Sequence, residues 1–232
     1  MPRNNRTGYR TRRVASATSG PDQSTPNRGP ARQAGLRGDV RIIGGEWRGR
    51  KLHFPQTGAV RPTPDRVRET VFNWLQFELA GRRCLDLFAG SGALGVEALS
   101  RGAAHAAFVE SDPASARAIQ ATLRTLGCER GRVECQDAFA YLRRPAPEPF
   151  DVVFLDPPYG EDCLPRVCDA LEQGGWLAPA AWIYLEDPAE RGAPRLPAGW
   201  ALMRSKRAGD VGYHLARRGA PAQNDENNRG GA

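Results

Sequence analysis

Residues 84–95 read Cys84-Leu-Asp-Leu-Phe-Ala-Gly-Ser-Gly-Ala-Leu-Gly95. A short apolar run, Cys84 to Phe88, meets three glycines, Gly90, Gly92 and Gly95, and passes into a helical pattern from Val96 to Ser100. The order is strand, glycine-rich turn, helix. Glycine tolerates positive φ and lets a ligand approach the backbone closely. A turn of this kind can serve a dinucleotide. Asp86 argues otherwise, because it lies inside the strand, ahead of the glycines. A carboxylate there repels a pyrophosphate and suits the ammonium of a methionine-like group.

Outward from this unit, further acids fall at strand ends. Ala106 to Glu110 is a second strand, and Val133 to Asp137 a third. A carboxylate at Glu110 can take both ribose hydroxyls, and Asp137 can read an adenine amine. Either acid can also be the N-cap of the following helix. Residues 151–160 read Asp151-Val-Val-Phe-Leu-Asp-Pro-Pro-Tyr-Gly160, a buried strand that delivers Asp156 into a rigid Pro157-Pro158 turn followed by Tyr159. These types suit a planar base with an exocyclic amine. Asp156 accepts one N–H, the Pro157 carbonyl accepts the other, and Tyr159 stacks on the ring. Ligands of open α/β sheets bind at the carboxyl edge, so Asp86, Glu110, Asp137 and Asp156 converge on one crevice. The set favours S-adenosylmethionine over NAD.

At this point the chain resembles class I S-adenosylmethionine-dependent methyltransferases acting on exocyclic amines, a superfamily that includes adenine-N6 enzymes. The stretches Arg41-Ile-Ile-Gly-Gly-Glu-Trp-Arg-Gly-Arg-Lys51 and Arg61-Pro-Thr-Pro-Asp-Arg-Val-Arg-Glu-Thr-Val-Phe-Asn73 narrow the likeness to the bacterial RsmD-type methyltransferases. These methylate the N2 amine of one guanine in 16S ribosomal RNA. The resemblance spans roughly residues 40–218. It implies a seven-stranded, mostly parallel Rossmann-like sheet of order 3-2-1-4-5-7-6, with helices on both faces. It also implies Asp156, Pro157, Pro158 and Tyr159 as the catalytic motif. Asp86, Phe88, Gly90, Gly92, Glu110, Asp137 and Ala138 become the cofactor contacts. The expected partner is 16S ribosomal RNA in an assembling or assembled small subunit, met by a monomer. The nearest alternative is an adenine-N6 methyltransferase on DNA or RNA. A nicotinamide oxidoreductase is disfavoured by Asp86 and by a supply of imidazoles limited to His53, His105 and His214. A non-catalytic assembly factor is disfavoured by the intact glycine turn and Asp156.

Composition bounds the rest. The chain of 232 residues suits one sizeable domain with appendages. Cys84, Cys128, Cys135, Cys163 and Cys168 form no CxxC pair and read as reduced thiols without a metal site, with Cys84 and Cys135 in core strands. No run reaches the ~18 apolar residues of a membrane span, and no signal peptide is visible. The expected location is therefore the cytoplasm. The net charge of +7 sits in residues 1–38, where eight arginines face Asp22 alone. This leader is poor in apolar residues and is expected to be disordered, as is the polar tail 219–232. It reads as an RNA-grasping arm, a transit peptide or a solvated extension.

Residues 39–80 are expected to form a hairpin, Val40 to Gly45 and Arg50 to Phe54, and a helix. In the hairpin, Trp47 either stacks on RNA or packs against the main domain, beside Arg48, Arg50 and Lys51. The helix has Thr63 as N-cap, Pro64 at its first position and Val67, Val71, Trp74, Leu75 and Leu79 on its core face. Arg66 and Arg68 fall off that stripe and are candidates for RNA phosphates. Residues 81–218 form the methyltransferase domain. There a helix over 161–173 follows the catalytic strand, Ala181 to Glu186 is another buried strand, and Trp200 to Lys206 and Val211 to Arg217 make an edge hairpin.

Overall fold

The computed structural model describes residues 37–55, 63–158 and 163–219. Residues 1–36 of the leader, the tail beyond Gly219, Arg61, Pro62 and Tyr159 lie outside the described residues, while Arg37 and Gly38, expected in the leader, are strand residues. The strands are β1 (Arg37–Arg41), β2 (Lys51–Pro55), β3 (Arg83–Asp86), β4 (His105–Glu110), β5 (Gly131–Cys135), β6 (Phe150–Leu155), β7 (Leu177–Pro188), β8 (Trp200–Ala208) and β9 (Val211–Arg218). The helices are α1 (Asp65–Trp74), α2 (Ala93–Ser100), α3 (Pro113–Thr125), α4 (Ala138–Leu142) and α5 (Leu164–Gln173). The main sheet has the order β5-β4-β3-β6-β7-β9-β8, which is the expected 3-2-1-4-5-7-6. β5 through β7 run parallel, and β9 is antiparallel to both β7 and β8.

Alternation along the strands builds two apolar layers, as a sheet covered on both faces requires. Cys84, Ala106, Phe108, Val152, Phe154 and Tyr184 pack with α1, α2 and α3. Leu85, Ala107, Val109, Val153, Leu155 and Ile183 pack with α4 and α5. The β1–β2 hairpin pairs Arg41 with Lys51 and Arg37 with Pro55. Val40, Ile42, Leu52 and Phe54 bury themselves in the first layer, so the hairpin shares the core of the main sheet.

A buried carboxylate clamps the hairpin loop. Glu97 is fully buried on α2 and accepts hydrogen bonds from the backbone N–H of Ile43 (2.7 Å) and Gly44 (2.8 Å) and from Arg101 Nε (2.7 Å). Ser100 Oγ donates to the Gly44 carbonyl and accepts from the Trp47 N–H. Gly45 adopts φ +77°, and a Cβ there would collide with the Ser100 carbonyl.

Several expectations are corrected. The first strand ends at Arg41 rather than Gly45 because Ile43 and Gly44 spend their N–H groups on Glu97. Thr63 does not cap α1, whose N-cap is Pro64 without a side-chain bond. Arg68 is not a surface residue. It is fully buried, donates to the Arg41 carbonyl and to Asp65, and lies 3.9 Å from Glu97. Cys135 is exposed, because β5 is an edge strand. β7 begins four residues before the expected Ala181.

Removing one member of a buried charged cluster leaves the others unpaired and costs about 3–5 kcal/mol. Glu97→Ala should lower stability by that order, read as a shifted urea midpoint. It should also speed hydrogen exchange at Ile43 and Gly44. A midpoint within ~0.5 kcal/mol of wild type would mean the clamp is not stabilising.

Candidate active site

Strand order reverses beside β3. The chain steps from β3 to β4 and β5 on one side, then returns to place β6 on the other. Such a switch point opens a crevice at the carboxyl ends of the strands. A cleft of about 1220 Å³ lies there, lined by Asp86, Gly90, Glu110, Asp137, Asp156 and Glu186 among others. It exceeds the roughly 300–1,000 Å³ of a typical small-ligand site, leaving room for two ligands side by side.

The glycine turn is braced by carboxylates. Gly92 caps α2 in the left-handed region, φ +76°. Gly95 lets α2 lie directly on β4, where a Cβ would overlap the Phe108 ring. Asp86 accepts the Gly95 N–H at 2.9 Å. Glu110 accepts the Gly90 N–H at 2.6 Å through one oxygen and the Asp112 N–H at 2.7 Å through the other. Glu110 is thus not the cap of α3. Asp112 is, accepting the Ser115 N–H. Asp137 does cap α4, through the Ala140 N–H at 2.8 Å, and also lines the cleft. Phe88 and Ala138 border it as well.

Asp156, Pro157 and Pro158 follow β6 into the same cleft. Two residues join them that the sequence reading did not assign to the site. Thr63 Oγ1 lies 2.9 Å from Glu186 Oε1 and 3.3 Å from Asp156 Oδ2. Tyr184 donates its hydroxyl to Glu186 Oε1 at 2.7 Å. A signal for Glu186 was present: it is another acid near the carboxyl end of a parallel strand, like Asp86 and Glu110. Thr63 carried none, because Thr-Pro-Asp before an apolar stripe also describes a helix cap.

Burial dominates the electrostatics. Desolvation pushes the Asp86 carboxyl up to about 7; the Gly95 N–H opposes this and Glu110 adds to it. Burial, then the charges of Glu186 and Asp86, hold Asp156 well above the usual carboxylate range, against the Thr63 hydroxyl. Glu186 is also raised by burial, with Tyr184 and Thr63 opposing.

The expected RNA contacts separate. Trp47 is buried, with the Arg130 guanidinium 5.6 Å from its ring centroid, so it packs the hairpin and does not present a stacking face. Arg50 donates to the Thr125 carbonyl at the end of α3, Lys51 pairs with Asp39, and Arg48 is exposed. This loop sits on the carboxyl ends of α2 and α3, whose amino ends face the cleft. At 1.5 Å per residue it is roughly 12–20 Å away from the cleft. Arg68 is buried. Of the six, Arg66 is exposed in the first turn of α1, next to the cleft-lining Thr63 and Pro64.

Asp86 holds its proton longer folded than unfolded, so the folded state binds more protons between an ordinary carboxylate value of 3.8 and about 7. Its contribution to stability therefore falls as pH rises through that window, by about 4 kcal/mol in all. In protein freed of small molecules, Asp86→Asn should be more stable than wild type at pH ~8 and closer to it at pH ~4, measured by urea denaturation. An equal gap at both values would contradict the assignment.

The chain matches the family model described as Conserved hypothetical protein 95 over residues 40–217. It is 47% identical over 188 residues to ribosomal RNA small subunit methyltransferase D of Escherichia coli (strain K12), covering 81% of this chain and 94% of that protein. The Haemophilus influenzae protein of the same name is 44% identical, over 77% of this chain and 94% of its own. Among solved structures, the Escherichia coli protein yhhF, described as a methyltransferase, superposes with TM-score 0.74 at 46% identity, covering 79% of this chain and all of that one. A Geobacter sulfurreducens methyltransferase at 13% identity shares the fold, with TM-score 0.55 over 67% of this chain and 79% of that one. With its sheet order, its glycine turn and its Asp-Pro-Pro stretch at one switch point, the chain belongs to the Conserved hypothetical protein 95 family, the RsmD-type methyltransferases.

Proposed function

We propose that this protein methylates the exocyclic N2 amine of a guanine in 16S ribosomal RNA, using S-adenosylmethionine. The observation that carries the reading is the shared cleft: the amine-accepting Asp156-Pro157 turn opens into the same space as the carboxylates suited to the cofactor.

The residues present fit that cofactor. The buried Asp86 carboxylate suits an ammonium group, Glu110 can still accept from ribose hydroxyls, and Asp137 borders the cleft at α4. The cofactor supplies an electrophilic methyl group. Everything else falls to the chain. Asp156 accepts one N–H of the amine and the Pro157 carbonyl accepts the other, which favours a pyramidal nitrogen with its lone pair directed at the electrophile. Tyr159 takes the stacking role by its place in the motif. Positioning of this kind can supply much of the rate acceleration. The guanine must leave its stack to enter.

The basic surface at the cleft is on the edge hairpin. Arg204, Lys206 and Arg207 are exposed on β8 and form no ion pair among the described residues. Arg207 lines the cleft rim. With Arg66 beside Thr63 and Pro64, Arg207 offers a cation at the rim for RNA phosphates flanking a flipped base, and Arg204 and Lys206 continue the exposed basic strand behind it.

Two measurements test the reading. Incubation with labelled S-adenosylmethionine and small-subunit RNA should place label in N2-methylguanosine, with Asp156→Ala lowering kcat by at least about 100-fold. Label in N6-methyladenine would transfer the function to the adenine alternative. Reversing Arg204, Lys206 and Arg207 to Glu should weaken RNA binding and flatten its salt dependence, whereas Arg48→Glu should change neither. An effect confined to Arg48 would return the RNA surface to the N-terminal hairpin.

A further inference from the structure

We propose that the Thr63 hydroxyl passes a proton between Asp156 and Glu186, so that Asp156 meets the substrate amine as an ionised acceptor while Glu186 holds the proton the pair shares. This makes Thr63 and Glu186 positioning residues. It rests on the reading of Asp156 as the amine acceptor.

Thr63 Oγ1 is within hydrogen-bond reach of two carboxyl oxygens, Glu186 Oε1 at 2.9 Å and Asp156 Oδ2 at 3.3 Å. A hydroxyl has one proton and can donate to only one of them. The other contact is attractive only if that carboxyl carries a proton and donates to Oγ1. Tyr184 donates to the same Glu186 oxygen at 2.7 Å. Two donors on Oε1 favour Glu186 as the ionised partner at rest, with the proton on Asp156. Among the described residues no cation is bonded to either carboxylate, so a proton is what neutralises the buried pair.

The surroundings reinforce this. Asp86 on β3 adds negative charge at Asp156. Tyr184 and Tyr213, on β7 and β9, bring hydroxyls rather than cations. On α1, Asp65 is paired with Arg68. Glu190, Arg207 and Asp210 line the wider cleft.

The transfer conserves atoms and charge. The Asp156 O–H bond breaks as its proton joins Thr63 Oγ1, while the original Thr63 O–H proton moves to Glu186. Asp156 is left ionised, Thr63 is unchanged in composition, and Glu186 is a carboxylic acid. An amine N–H arriving at Asp156 stabilises that arrangement. After alkylation the nitrogen gives its proton to Asp156, the N–H bond breaking as the carboxyl O–H forms. Water takes that proton as the product leaves.

The test has two arms on the full-length protein. In the first, side-chain carboxyl carbons labelled with 13C are followed by NMR from about pH 5 to about pH 9, assigned with Asp156→Asn and Glu186→Gln. The Asp156 and Glu186 signals should move together as one coupled pair in wild type and in Thr63→Ser, and separate in Thr63→Val. Independent titration in wild type, or coupling that survives in Thr63→Val, overturns the proposal. In the second arm, kcat for RNA methylation is measured against pH. Thr63→Val should move the acidic limb up by about one unit, Thr63→Ser should return it, and Glu186→Gln should move it down. Limbs that stay at the wild-type position in variants with unchanged S-adenosylmethionine affinity also overturn it. A wild-type protein that methylates no guanine fails the reading above, while the NMR arm still decides the shared proton.

Discussion

The strand order turns at β3, and the chemistry of the cleft depends on that turn. Because β4 and β6 flank β3 on opposite sides, α2 is sent to one face of the sheet and α5 to the other, and a cleft opens at the carboxyl ends between them. Asp86 ends β3 and Asp156 follows β6, so they become neighbours although 70 residues apart in number. Thr63, just ahead of α1, reaches into the same gap, and β7 adds Glu186 from the next strand. The cleft is thus a consequence of topology, populated by acids at strand ends.

That population has a cost. Asp86, Asp156 and Glu186 are all held above the ordinary carboxylate range by burial, and each opposes folding near neutrality. The fold tolerates this because the two apolar layers on either side of the sheet are continuous and because the charges have specific partners. Asp86 is met by a backbone N–H and Glu186 by two hydroxyls. Binding of a cationic ligand would recover part of the cost, coupling stability to occupancy.

Arginine is put to opposite uses at the two ends of the sheet. At the amino end, Arg68, Arg101 and Arg130 are structural: they pair with Glu97 and Glu46 or cover Phe72 and Trp47. At the carboxyl end, Arg207 lines the cleft and Arg66 is exposed beside the cleft-lining Thr63 and Pro64. Charge counting along the chain cannot separate these groups, since both are arginines in polar sequence contexts. This is why the sequence offers Arg68 as a phosphate contact and leaves Trp47 open between RNA and packing, whereas in the fold both are buried in the packing of the hairpin.

What the sequence determined by itself was the local grammar: a strand, glycine turn and helix at 84–100, acids at strand ends, a Pro-Pro turn after Asp156, and the sheet order that the family likeness carries. The local elements follow from periodicity and backbone restriction, which act between near neighbours, whereas the sheet order is implied by the family likeness alone. Tertiary structure alone decided the partners. Thr63 looked like a helix cap because a hydroxyl before Pro and Asp fits that role locally, but β6 and β7 offered its proton two carboxylates. Glu97 sat in an apolar helix with no sign of what it held, and only the folded hairpin supplied the two N–H groups that explain it. Hydrogen-bond donors and acceptors are chosen by proximity in space, and for residues 54 and 123 positions apart only the assembled sheet sets that proximity.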